Sequence, residues 1–246
     1  KPMHELAKIL RKEKINRGYI DFGIDEAKVI QDKKGRAIDI VKRVQGTGEK
    51  LIEDFMIAAN ETVATHISNM DLPFIYRVHD LPNAEKIEDF CNLIKQLGYQ
   101  VHTNLNKITP VTMQKLLDEF RDKDEFVILS DMLLRSMKKA IYSTNNIGHF
   151  GLASKNYTHF TSPIRRFPDL TVHRLLRTYL FENRIDLETI NFNAKYLIDV
   201  AEHSSETEVN SIEAERDVLD MKMAEYMEKH VGEEYDGIIS GVTNFG

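Results

Sequence analysis

Two prolines, Pro163 and Pro168, set the local geometry around which this chain is organised. Each disfavours the α conformation in the residue before it, and each is tolerated in the first turn of a helix. The stretch Asn156–Arg177, N-Y-T-H-F-T-S-P-I-R-R-F-P-D-L-T-V-H-R-L-L-R, therefore reads as an ordered loop running into a helix opened by Pro168. In that helix Leu170, Val172, Leu175, Leu176, Tyr179 and Leu180 supply the buried side. Asp169, His173 and Arg177 share a stripe at four-residue spacing. The chemistry here is dense: Tyr157, Phe160 and Phe167 alternate with Thr158, Thr161 and Ser162, and Arg165, Arg166, Arg174 and Arg177 supply cations. Hydroxyls and arginines suit phosphate oxygens and aromatic rings suit bases, so the mixture fits a phosphate-bearing polymer. A buried helix with a solvated basic edge fits the cations equally well.

Helical spacing predicts a short amphipathic helix over Pro2–Arg11 and a clear one over Glu49–Met70, where Leu51, Ile52, Phe55, Met56, Ala59, Val63 and Ile67 recur every three or four residues. Glu53 and Asn60 fall on one side of the second helix, and polar groups beside an apolar stripe need partners, for which a neighbouring loop is the plain choice. Gly18–Val44 reads as strands with a hairpin turn at Asp32–Gly35, and Asp21 is either a ligand-facing carboxylate or a strand end. Pro73–His79 alternates like a strand. Pro82–Gly98 is a helix opened by proline and closed by glycine, carrying Cys91 on its apolar face. A strand should follow, and Thr109-Pro110 then opens another helix. Phe126–Lys139 reads as a helix, Ala140–Ser143 and Gly148–Leu152 as strands, and Leu187–His203 and Glu206–Lys229 as two separate helices.

The acidic run Glu119–Glu125 has the look of a metal site, but its lysine and arginine weaken the negative field, and charge-rich helix ends are usually solvated. His149, His159 and His173 lack the short spacing of a helical zinc pair, so each is expected as a hydrogen-bonded core or substrate-edge histidine. No metal ligand is assigned in this chain. A net charge of −6 over 246 residues confines any nucleic-acid site to a local basic channel on an acidic body. One cysteine excludes an internal disulfide and fits a reducing compartment. No apolar run is long enough to span a bilayer, so no membrane partner and a cytoplasmic location are expected. The opening lysine and a final segment that stops in mid-pattern suggest a piece of a longer polypeptide.

Several blocks in order resemble the ribonuclease II/R family of processive 3′-to-5′ exoribonucleases. They are R-G-Y-I-D-F at Arg17–Phe22, L-I-E-D-F-M-I-A-A-N at Leu51–Asn60, P-F-I-Y-R-V-H at Pro73–His79, L-R-S-M at Leu134–Met137, G-H-F-G-L at Gly148–Leu152, Y-T-H-F-T-S-P-I-R-R at Tyr157–Arg166 and A-E-R-D at Ala214–Asp217. The resemblance implies an α+β fold, with helices packed around a mainly antiparallel sheet. It implies the carboxy-terminal part of a nuclease domain over 1–230 and the first strands of an OB-fold RNA-binding domain over 231–246.

The same resemblance makes Arg165 the catalytic arginine that neutralises charge on the scissile phosphate. It makes Glu53, Glu215, Tyr157, Thr161, Ser162 and Arg166 contacts to single-stranded RNA. Within that set Glu53 would accept from a 2′-hydroxyl, and Glu215 would hold the 3′-terminal nucleotide. A loop contact for Glu53 and a salt bridge for Glu215 remain the structural alternatives. The parent enzyme would use two Mg²⁺ ions to activate water and stabilise the leaving oxygen, releasing nucleoside monophosphates. It would have the ribosome or RNA-degradation machinery as further partners. The family places its magnesium aspartates ahead of these blocks, so this chain is expected to bind no Mg²⁺ and to be inactive alone. A non-catalytic RNA-binding or scaffold module on the same fold is the rival expectation.

Overall fold

The computed structural model describes residues 1–23, 26–100, 108–123 and 125–237. Residues 101–107, where a strand is expected, Asp124 of the acidic run, and 238–246 of the expected OB strands lie outside the described residues. The chain divides into two units, Lys1–Phe22 with Gln45–Glu208, and Gly23–Val44 with Val209–Gly246.

The first unit is mostly helical. Helix α1 (Pro2–Asn16) has its proline in the first turn, and α2 (Thr47–Asn69) covers the expected Glu49–Met70 helix. Helices α3 (Ala84–Gln96), α4 (Pro110–Phe120) and α5 (Phe126–Ser136) begin at Asn83, Thr109 and Glu125. Asn83 and Thr109 cap the first two through their side chains, as short polar residues do. These three helices bury Ile87, Phe90, Ile94, Met113, Leu116, Leu117, Phe120, Leu129 and Leu133 in one apolar cluster with Ile20 and Phe150.

A second cluster lies beneath the expected loop and helix. It joins Ala64 and Ile67 of α2 to Phe74, Ile75, Tyr76 and Val78, to Val172 and Leu175 of α6 (Phe167–Leu176), and to Leu197, Val200 and Ala201 of α7 (Leu187–Met227). Tyr179, in a π-helical stretch Arg177–Phe181 after α6, donates its hydroxyl to the Pro73 carbonyl at 2.9 Å and accepts from Asn193 Nδ2 at 3.0 Å.

The only strands of this unit among the described residues are β3 (Tyr76–Val78) and β4 (Ile141–Ser143). They pair antiparallel with Arg77 opposite Tyr142. The other side of β3 is occupied as well: Arg77 N–H donates to the Tyr157 carbonyl at 2.9 Å and His79 N–H to the Gly148 carbonyl at 3.0 Å. The expected strand over Gly148–Leu152 is instead a bridge at His149 followed by a single 3₁₀ turn, Phe150–Leu152. Gly148 and Ala153 both take left-handed backbone conformations, φ +80° and φ +50°, which break an extended run.

In the second unit β1 (Glu26–Gln31) and β2 (Ala37–Arg43) form the expected antiparallel hairpin, turned at Asp32–Gly35, where Asp32 accepts from the Lys34 and Arg36 N–H groups. The remainder of α7 from Val209 belongs to this unit, and Lys222 Nζ donates to the Gly35 carbonyl at 2.7 Å. The two helices expected over 187–229 are thus one helix of 41 residues. Ser205, in the gap between them, and Thr207, just after it, donate their hydroxyls to the Ala201 and His203 carbonyls one turn back, at 2.8 Å each, so the helix continues. No helix among the described residues is long and apolar enough to cross a membrane.

Gly18, at φ +102°, lies where an added Cβ would sit 2.7 Å from Val111 N, whereas Gly98, at φ +82°, has nothing within 4 Å among the described residues. Both positions strain an L-residue, but only the first also overpacks. Gly18→Ala is therefore expected to destabilise the protein by about 1–3 kcal/mol more than Gly98→Ala in thermal or urea denaturation, and equal losses would contradict this packing account.

Candidate nucleic-acid interface

Buried polar bonds hold the loop from Tyr157 to Arg166 against α2 and β3. Asn60, 3% exposed on α2, donates Nδ2 to Tyr157 Oη at 2.9 Å, and its Oδ1 accepts from the Phe160 N–H at 3.0 Å. Thr158 Oγ1 donates to the Ile75 carbonyl at 2.7 Å. The expectation that a polar residue beside the α2 stripe bonds to a neighbouring loop is met at Asn60.

Rings fill the space below. Tyr157 lies edge-on to His149 and His159, with centroids 5.3 and 5.8 Å away, and Tyr142 Oη is 2.8 Å from His159 Nδ1. Arg77 covers the Tyr142 ring at 4.7 Å and pairs with Glu208. Phe160 stacks on His173 at 4.3 Å, and His173 Nε2 donates to the Phe160 carbonyl at 2.9 Å. His149 Nδ1 accepts from the Leu152 N–H, which leaves its ring proton on Nε2. All three histidines are hydrogen-bonded within the protein, as their spacing suggests.

Beyond Phe160 the loop turns outward. The Ser162 carbonyl accepts from the Arg165 N–H at 3.3 Å and the Arg166 N–H at 3.1 Å, closing a turn on which Ile164 and Arg165 are exposed. Arg166 bends inward, with Nη2 at 2.8 Å from Asp169 Oδ1, and that same oxygen accepts from the Ser162 N–H at 2.7 Å. The two adjacent arginines therefore diverge, one bound and one presented.

The structure brings Tyr157, Thr161, Ser162, Arg165 and Arg166 onto one pinned loop. Tyr157 itself faces inward: its ring is 6% exposed and its hydroxyl is held by Asn60, so it supports the loop rather than offering an aromatic face. Thr161 is partly buried, and its hydroxyl oxygen is fully buried with no hydrogen-bond partner among the described residues, so it does not face a ligand as expected. Glu53 lies seven residues before Asn60 on α2, about 10 Å along the same helix face. Its side chain is 35% exposed and 3.2 Å from Lys14 Nζ, so its partner is a lysine on α1 and not the loop. Sequence reasoning passed over the neighbouring Asp54, which is buried and 2.7 Å from Arg11 and 3.1 Å from Lys14. The Arg11/Lys14 spacing on α1 was the one available signal. Glu215 is exposed on the part of α7 that belongs to the second unit.

The acidic run has local partners. Asp118 pairs with Arg121 at 3.1 Å, and Glu125 accepts from Tyr99 Oη at 2.7 Å. No three His, Cys, Asp or Glu side chains among the described residues converge into a set that could hold a metal ion, so these residues do not fit the Mg²⁺ ions that the resemblance implies.

An RNB-domain family model matches residues 1–182, and the chain belongs to that family. It is 48% identical over 246 residues to Ribonuclease R 1 of Lactococcus lactis subsp. lactis (strain IL1403), covering 100% of this chain and 30% of that protein. Its structure is similar to the apo form of Mycoplasma genitalium RNase R, with a TM-score of 0.94 and 33% identity over 99% of this chain and 38% of the other. The same protein in complex with ribose-methylated single-stranded RNA gives a TM-score of 0.93 at the same identity and coverage. The chain thus spans about a third of the length of the relatives it matches.

Burial, and then the positive charge of Arg166 and Arg77, pushes the His159 ring pKa from 6.5 down to about 2. Burial, with His79 and Arg77, pushes His149 down to about 3. Both rings are neutral in the folded protein and take up protons on unfolding. Their contribution to stability is therefore complete above about pH 6.5 and is lost as pH falls towards the folded values. The melting temperature is expected to drop between about pH 7.5 and pH 5, above the main carboxylate range, and His159→Gln should flatten that slope. An unchanged slope would show that His159 does not carry it.

Proposed function

We propose that this chain is the arginine- and glutamate-bearing part of a nuclease domain that hydrolyses single-stranded RNA processively from its 3′ end, releasing nucleoside 5′-monophosphates. The observation that carries this reading is the divergence of the two arginines: Arg166 is bound to buried Asp169, while Arg165 stands exposed on a turn pinned to the core. A guanidinium so placed meets charge developing on a phosphate without reorganising, and its planar fork bonds two phosphate oxygens at once. Ser162, just ahead of it, is a hydroxyl donor for an adjoining phosphate, whereas the Thr161 hydroxyl is buried beneath the loop. Tyr157 acts from below by holding the loop. That M. genitalium RNase R forms a complex with single-stranded RNA supports RNA as the ligand.

Glu53, partly exposed, is the group suited to accept from a 2′-hydroxyl, the feature that tells RNA from DNA. It would then share itself between the sugar and Lys14. Glu215 is the candidate for the 3′-terminal nucleotide. On this reading the Mg²⁺ ligands come from the part of the nuclease domain ahead of these blocks, and the chain by itself would be inactive. Incubated with single-stranded RNA and Mg²⁺, it should release no mononucleotides. Release that Asp122→Ala abolishes would reinstate the acidic run as a metal site.

In the full-length protein, Arg165→Ala is expected to lose about a hundredfold or more in turnover with little change in RNA affinity, and Arg165→Lys to recover little of it. Arg166→Ala should instead lower the melting temperature. Near-normal turnover in Arg165→Ala, together with its loss in a thermally normal Arg166→Ala, would reverse the assignment. A full-length protein that binds RNA yet releases no nucleotide would favour the non-catalytic module.

A further inference from the structure

We propose that Asp169 is a positioning residue whose carboxylate presets the Ser162–Arg166 turn so that Arg165 faces the substrate. The inference rests on the assignment of Arg165 above. Asp169 is the third residue of α6, whose N-cap is Arg166. A carboxylate there ordinarily reaches back to the N-cap N–H or simply sits near the positive end of the helix. Here the Arg166 N–H is already taken by the Ser162 carbonyl at 3.1 Å. Asp169 reaches past it to the Ser162 N–H at 2.7 Å, and the same oxygen accepts from Arg166 Nη2 at 2.8 Å. Both sides of Ser162 are thereby fixed, its N–H by Asp169 and its carbonyl by the two arginine N–H groups.

As a device for stability alone this is a poor arrangement. Asp169 is 0% exposed, and its Oδ2 and Arg166 Nε are buried without a hydrogen-bond partner among the described residues. A buried carboxylate with an unsatisfied oxygen is commonly no better than a packed apolar residue of similar size. Its effect is geometric. One buried charge fixes the backbone ahead of Arg165 and holds the neighbouring guanidinium away from the exposed face. A turn set in advance needs no rearrangement when charge develops on the phosphate.

In the full-length protein, Asp169→Asn keeps the side chain's size and an acceptor for the Ser162 N–H but removes the charge that holds Arg166. Turnover on single-stranded RNA should fall about tenfold to a hundredfold, with KM changed by less than about threefold. The deciding measurement is a double-mutant cycle with Arg165→Ala. If Asp169 acts through Arg165, adding Asp169→Asn to Arg165→Ala lowers turnover no further. Unchanged turnover in the single variant, or losses that multiply in the pair, would overturn the proposal and leave the reading of Arg165 intact. Near-normal turnover in Arg165→Ala alone would overturn both. Should Asp169→Asn not fold, Asp169→Glu, which keeps the charge but displaces the oxygens by one methylene, passes through the same cycle. Failure of both to fold would also overturn the proposal, because Asp169 would then hold the domain rather than the turn.

Discussion

The side-chain amide of Asn60 is the interaction on which the geometry of the candidate site depends. It both donates to and accepts from the loop, taking the Tyr157 hydroxyl and the Phe160 N–H together. Each bond contributes only about 0.5–1.5 kcal/mol net, but deleting the amide would strand two buried partners, each costing about 1–3 kcal/mol. Because α2 is a 23-residue helix anchored by Ala64 and Ile67 in the core, the loop inherits the helix's rigidity at the point where it begins to turn outward.

Charge is arranged around that support in a definite order. The rings beneath the loop are neutral, with His149 and His159 held so by burial. Near them Arg77 pairs with Glu208 and Arg166 with Asp169, and between α1 and α2 Lys14 faces Glu53 and Asp54. Of the two adjacent arginines, Arg165 is presented, on the turn itself. On a chain of net charge −6, a local cation of this kind selects where a polyanion can approach.

Much of this was legible in the sequence where the signal is local. The prolines at 163 and 168 marked loop and helix start, and the α2 periodicity marked the helix. The resemblance to a known family supplied the candidate roles. What stayed hidden depends on distance or on competing uses of one residue type. Arg77 and Glu208 are 131 residues apart, and no local pattern joins them. Ser204 and Ser205 look like a helix break unless the carbonyl one turn back is known to take the Ser205 hydroxyl. Gly148–Leu152 has the composition of a strand, but left-handed residues at 148 and 153 leave room only for a turn.

The short strand β3 has no bare side. β4 pairs with one edge, and the carbonyls of Gly148 and Tyr157 take the N–H groups of the other. The segment proposed to meet RNA therefore also supplies, through Tyr157, part of the cover of a sheet edge that would otherwise invite another strand. Loosening it exposes that edge at the same moment as it disperses the site.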